Sequence, residues 1–187
     1  MPDPFRPLTA LGQPEAQTFT IGPVTITERF DVALASVALR RDRDKDLARL
    51  AKAAGLPLPA AASHAQGAPY AAFWMTPDMW MAEAPLASHD DIAAHLKLAL
   101  ADAASVTEQT DAWVRFDLTA PDLTPLLERL TNLDLPAKPD GFAARTVIDH
   151  LGVYLIRHAA TTVTLYAPRA SAQSLLHALQ LTANALI

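Results

Sequence analysis

Two proline landmarks recur at matching points of this chain, and they constrain its fold more than any other feature. A Leu-Pro pair follows a strand pattern and a helix pattern at Leu58-Pro59, and again at Leu135-Pro136. An Ala-Pro pair then closes a β-rich stretch at Ala84-Pro85, and again at Ala167-Pro168. Three residues beyond each of these prolines stands a serine, Ser88 or Ser171, followed by an apolar helical pattern. The same order of elements met twice is the mark of an internal duplication. Each copy reads β-α-β-β-α. The expected fold is therefore α+β, built of two ferredoxin-like split-βαβ units with helices on one face of each sheet.

The local patterns fill in this frame. Residues 24–27 alternate, as do residues 31–40 and 112–119, which is the period of half-buried strands. Leu47, Leu50, Ala51 and Ala54 keep helical spacing until Gly55 and Pro57 stop it. Residues 60–69 read as a loop, and residues 70–75 and 79–84 as a hairpin around Thr76-Pro77-Asp78. Ser88 and Asp91 read as a capping pair opening a helix that runs to Ala103. Residues 122–133 carry Leu123, Leu126, Leu127 and Leu130 on one stripe. The last third reads as two β runs, 145–158 and 161–167, before the final helix. Pro2, Pro4, Pro7 and Pro14 leave residues 1–22 without periodicity. That segment is expected to be an extended arm that packs on a partner subunit or is disordered without one. Residues 23–187 are expected to form a single α+β domain of two repeats, about 24–110 and 111–187.

Composition excludes several functions. A chain of 187 residues that is 51% hydrophobic has enough apolar surface for one core. Its net charge of −5 argues against a nucleic-acid-binding face, and the sign-alternating run from Arg40 to Asp46 reads as a solvated loop. With no cysteine there is no disulfide, cysteine-ligated metal or cysteinyl flavin. No apolar run reaches the roughly 20 residues of a membrane span, and the proline-rich start lacks the features of a signal peptide, so a cytoplasmic location is expected. Neither a G-x-G-x-x-G nor a P-loop motif is present, so no dinucleotide or nucleoside triphosphate cradle is recognisable.

Candidate chemistry is sparse. Ser174 and His177 lie side by side on the final helix, with Asp149 and His150 upstream, but no strained nucleophile elbow accompanies them. His89, Asp91 and His95 share the polarity of a metal site, yet Ser88 and Asp91 already serve as a helix cap. No catalytic or metal-binding residue is therefore assigned. Arg169 and Ser171, at the start of the final helix, are candidates for holding an anion such as a carboxylate. The alternative is that Ser171 caps the helix and Arg169 pairs locally. Trp113 shares a strand face with Arg115, Asp117 and Thr119 and is a candidate interface anchor. It could equally be covered by a helix of its own domain, while Trp74 and Trp80 read as core.

Several longer phrases carry a resemblance. They are Arg145-Thr-Val-Ile-Asp-His-Leu-Gly152, Leu165-Tyr-Ala-Pro-Arg169-Ala-Ser171-Ala, Ser174-Leu-Leu-His177-Ala-Leu, Phe73-Trp-Met-Thr-Pro-Asp-Met-Trp80, Ser105-Val-Thr-Glu-Gln-Thr-Asp-Ala-Trp113, Leu126-Leu-Glu-Arg-Leu and Leu133-Asp-Leu-Pro136. In these the chain resembles the gamma subunits of heterotetrameric sarcosine oxidase. The resemblance implies a fold similar to the folate-binding domain of the glycine-cleavage aminomethyltransferase. It also implies alpha, beta and delta partner subunits, with FAD, FMN, NAD and tetrahydrofolate on those partners and no cofactor on this chain. Such a complex demethylates sarcosine oxidatively to glycine, yielding hydrogen peroxide and either formaldehyde or 5,10-methylenetetrahydrofolate. This chain would be its non-catalytic subunit for assembly and stability, inactive alone. The alternatives are a self-contained folate-dependent aminomethyltransferase-like protein, or a free-standing binding module for another flavoenzyme.

Overall fold

A computed structural model of the chain describes residues 7–187. In order, its elements are β1 (Thr18–Ile21), β2 (Val24–Arg29), β3 (Val32–Leu39), α1 (Asp44–Ala54), β4 (His64–Ala65), β5 (Ala71–Thr76), β6 (Met79–Pro85), α2 (Ile92–Leu100), β7 (Ala104–Glu108), β8 (Trp113–Thr119), α3 (Thr124–Leu130), β9 (Phe142–Ile148), β10 (Leu151–Ala159), β11 (Thr162–Pro168) and α4 (Ala172–Asn184). They form one sheet ordered β4-β5-β6-β3-β7 and another ordered β1-β2-β8-β11-β10-β9.

The chain divides into two compact units. A contiguous unit holds residues 31–110 and 141–144; a composite unit holds residues 7–30, 111–140 and 145–187. The contiguous unit follows the split-βαβ plan, with β3, β5, β6 and β7 as its four repeat strands and β3 between β6 and β7. Its core lies on one sheet face. Ala33, Ala35 and Val37 of β3 pack there with Leu47 and Ala51 of α1 and with Ile92, Leu96 and Leu100 of α2. The composite unit repeats the plan with β8, β10 and β11, and β4 and β9 extend matching edges.

The registers show the duplication directly. The first residue of β3 pairs with the last of β6 as Val32↔Pro85, and the first residue of β8 pairs with the last of β11 as Trp113↔Pro168. The two Ala-Pro landmarks therefore close the same hairpin position twice. Each sits at a strand end, where a missing N–H costs no ladder bond.

The repeats differ in the origin of their fourth strand. In the contiguous unit it is β7, which follows α2 and pairs antiparallel with β3. In the composite unit it is β2, pairing antiparallel with β8 from Thr25↔Thr119 to Arg29↔Arg115. The division at residues 110 and 111 is thus corrected, since residues 24–29 complete the later repeat. The extended arm is corrected as well. Residues 18–21 form β1 on β2, and Thr9 and Leu11 are buried. The reason is a buried acceptor, Glu28 of β2, which is 1% exposed. Its Oε1 accepts from the Leu11 N–H at 3.0 Å and its Oε2 from the Gln17 N–H at 3.3 Å. Residues 1–6 of the expected arm lie outside the described residues.

Three local readings also change. Asp91 alone caps α2, its Oδ1 accepting from the Ala94 N–H at 2.9 Å, while the Ser88 hydroxyl bonds the Pro85 carbonyl. Residues 64–65 form a short strand where a loop was expected. The run 145–158 is two strands joined at Asp149 and His150, whose φ values of 46° and 66° make a left-handed two-residue turn. Asp149 suits the first position of such a turn, but His150 stands at the second, where glycine is the usual signal.

Replacing Glu28 by alanine should leave the buried Leu11 N–H and the half-buried Gln17 N–H without their acceptor. We expect Glu28→Ala to cost about 3 kcal/mol of stability in urea unfolding, and to open residues 7–17 to protease first. Glu28→Gln, which keeps an acceptor, should cost less.

Candidate functional site

Strand alternation divides β8 between two environments. Val114, Phe116 and Leu118 are buried core residues, and Trp113, Arg115 and Asp117 point to the other face of the sheet. Neighbouring strands add Arg29, Thr164, Tyr166 and Tyr154 to that face through the registers Arg29↔Arg115, Asp117↔Thr164, Arg115↔Tyr166 and Tyr154↔Tyr166, and His158 joins them through its contact with Thr164. The result is a connected polar and aromatic cluster within the composite unit.

Asp117 is its centre. Arg115 forks onto it, with Nε to Oδ1 at 2.8 Å and Nη2 to Oδ2 at 3.1 Å. Arg29 donates Nη1 to Oδ2 at 3.2 Å, and the Thr164 hydroxyl donates to Oδ1 at 2.6 Å. Each carboxylate oxygen thus accepts twice, which uses the acceptor capacity of the group. Two arginines directly opposite on adjacent strands would repel, and Asp117 makes the pairing Arg29↔Arg115 tolerable by taking a bond from each. Arg115 also reaches the Tyr166 hydroxyl at 3.2 Å. Because the Thr164 hydroxyl spends its proton on Asp117, the contact of His158 Nε2 at 2.9 Å is a donation to the threonine oxygen. The imidazole therefore carries its proton on Nε2. This arrangement locks side chains together and leaves no oxygen of Asp117 free to accept a substrate's proton.

The contiguous unit has a simpler counterpart. Glu83, two residues before Pro85 as Tyr166 is before Pro168, meets His64 across 3.2 Å, with both side chains at least nine-tenths buried. Among the described residues no cluster of three or more His, Asp or Glu has the geometry to hold a metal ion.

The residues singled out from the sequence lie in separate places. Trp113 sits half-buried at the start of β8, edge-on to Tyr154 with ring centroids 5.5 Å apart, on the face that alternation assigned to it. Arg169 donates Nη2 to the Leu8 carbonyl at 2.6 Å and lies 3.7 Å from Asp111. Ser171 occupies the position before α4 without a side-chain capping bond. The guanidinium of the anion candidate thus holds the N-terminal segment through one nitrogen while its side chain stays partly exposed. Ser174 and His177 are on α4, and Asp149 and His150 form the β9–β10 turn. The Asp117 cluster was not recognised in the sequence, although the alternating Arg115 and Asp117 beside Trp113 were its visible signal.

No family model and no characterised protein matches the sequence. The fold is shared with a chain of the heterotetrameric sarcosine oxidase from Corynebacterium sp. U-96, at a TM-score of 0.76 and 20% identity over 87% of this chain and 84% of that one. It is also similar to the glycine cleavage system aminomethyltransferase T from Bartonella henselae, at a TM-score of 0.61 and 14% identity. That match covers 81% of this chain but 44% of the aminomethyltransferase. At these identities the likeness is one of fold, and it is the duplicated α+β fold expected from the landmarks.

Removing Asp117 would leave two guanidiniums facing each other. We expect Asp117→Ala to lose about 3 kcal/mol in urea unfolding, with Asp117→Asn intermediate; a loss near zero would mean that the arginines relax into solvent. A second expectation concerns alkaline pH. Burial lifts the Tyr154 hydroxyl above the ordinary tyrosine value of 10.0, with Arg145 pulling the other way. A raised folded pKa contributes stability that is complete below pH 10 and lost as pH rises through the folded value. Burial raises Tyr70 in the same direction, so ultraviolet titration should show tyrosines ionising late, together with unfolding, and Tyr154→Phe should reduce that component without abolishing it.

Proposed function

We propose that this chain is the gamma-type subunit of a heterotetrameric sarcosine oxidase, acting in assembly and stability without carrying the chemistry itself. The observation that supports the reading best is reciprocal coverage. The likeness takes in 87% of this chain and 84% of the sarcosine oxidase chain, so the two are of nearly the same length and alike almost end to end. The aminomethyltransferase is matched over less than half its length, which favours the subunit reading over a self-contained folate-dependent enzyme. The site adds a physical reason. Its charged groups satisfy one another, as they do in a scaffold whose task is to hold shape.

On this reading the alpha, beta and delta subunits are the partners. FAD, FMN, NAD and tetrahydrofolate belong to them, and the complex converts sarcosine to glycine with hydrogen peroxide and formaldehyde or 5,10-methylenetetrahydrofolate. Trp113 is proposed as a contact within that assembly, and Arg169 with Ser171 as a secondary place for an acidic group.

Co-expression with the host's three other subunits tests this. The expected result is a four-subunit complex that makes peroxide from sarcosine and loses yield when this chain is left out. The chain alone should be colourless and inactive. Flavin absorbance or sarcosine-dependent peroxide from the isolated chain would overturn the reading.

A further inference from the structure

β9 is the end strand of its sheet. The outward-pointing backbone groups on it follow from two bonds at its start. Residues 62–64 bond the Gly141 carbonyl and the Ala143 N–H, which fixes the odd-numbered residues as those facing away from β10. Arg145 and Val147 therefore present N–H and C=O groups outward, and among the described residues no backbone bond outside the sheet reaches them. An edge of this kind is a template for another strand.

The surroundings state what that strand should carry. Beside the edge runs a cleft of about 630 Å³, whose lining includes Arg129, Leu130, Arg145 and Val147. A second cleft of about 200 Å³ shares Arg129 and Leu130 and reaches His177 and Leu181 on α4. Val147 is 59% exposed at the first cleft and Leu181 63% exposed at the second, each an apolar side chain left in water. The Arg145 guanidinium makes no hydrogen bond or ion pair among the described residues. It rests against Gly152, where a Cβ would come within 3.3 Å of its Nη2. Among the described residues Arg129 donates only to the Pro125 carbonyl of its own helix. The first cleft thus sets two guanidiniums against the single carboxylate of Glu128, in a chain of net charge −5.

We infer that β9 is a strand-addition site for an extended, acidic segment of a partner subunit. Such a segment pairs with the backbone of Arg145 and Val147, placing a carboxylate opposite Arg145 and, two residues along on the same face, an apolar side chain opposite Val147. The inference rests on the subunit reading above and names the surface by which that assembly forms.

Amide hydrogen exchange on the free chain and on the co-expressed complex tests it. The Arg145 and Val147 amides should exchange quickly in the free chain and become protected in the complex. Arg145→Glu should weaken assembly by roughly tenfold or more. Val147→Pro, which deletes an outward donor at a strand edge, should do the same while leaving the circular dichroism of the free chain unchanged. If the proline variant misfolds, the exchange data on the wild-type complex decide the matter. A complex that forms with both amides still exchanging freely overturns this surface and leaves the subunit reading standing. Failure of the wild-type chain to assemble overturns both. Protection that appears with rising concentration of the chain alone assigns the edge to a second copy, and overturns the partner assignment.

Discussion

The composite unit depends on one requirement: β8, in the interior of its sheet, needs a bonded neighbour on each side. β11 supplies one through the hairpin plan that both repeats share. The other is β2, which lies far away in sequence. Once β2 is in place, the segment ahead of it is fixed too. Glu28 accepts from Leu11 and Gln17, Gln173 donates to the Leu11 carbonyl, and Arg169 donates to the Leu8 carbonyl. A proline-rich stretch with little to bury is held by its own backbone, through a carboxylate, an amide and a guanidinium.

Equivalent positions in the two repeats carry different chemistry on a shared frame. Glu83 and Tyr166 stand at the same point of the same hairpin, yet one is an acid beside His64 and the other a phenol beneath Arg115. Likewise Ser36 and Asp117 are the fifth residues of β3 and β8. The hairpin landmarks recur because they are backbone devices. The side chains between them follow the charges they face, and in the composite unit those charges close on Asp117.

Much of the architecture was legible because it is local. α1 begins and ends where the spacing of Leu47, Leu50, Ala51 and Ala54 places it, because Gly55 adopts the left-handed conformation that ends a helix. Alternation put Trp113 with Arg115 and Asp117. The β9–β10 turn was missed because His150 follows Asp149 at the position where glycine usually signals such a turn. α3 is shorter than its leucine stripe suggests, since Asp122 and Leu123 precede the helix, with Asp122 accepting from the Thr124 N–H. The β2–β8 pairing, the His64–Glu83 contact and the bond from Arg169 to a main-chain carbonyl join residues far apart in sequence. Such partners leave no local pattern, and a carbonyl has no residue identity to read.

The placement of β2 also sets an order of events during synthesis. Every residue of the contiguous stretch 31–110 leaves the ribosome after β2 and before β8. That stretch meets most of its partners as it emerges, whereas β2 waits for a neighbour that has not been made. In the interval it is an open edge, the state in which strands find wrong partners. Its sequence, Val-Thr-Ile-Thr-Glu-Arg, ends in two charges. Those charges later satisfy Leu11, Gln17 and Asp117. Before that they keep the open edge of the β1–β2 hairpin in water, so the same side chains guard the nascent chain and then bind the finished sheet.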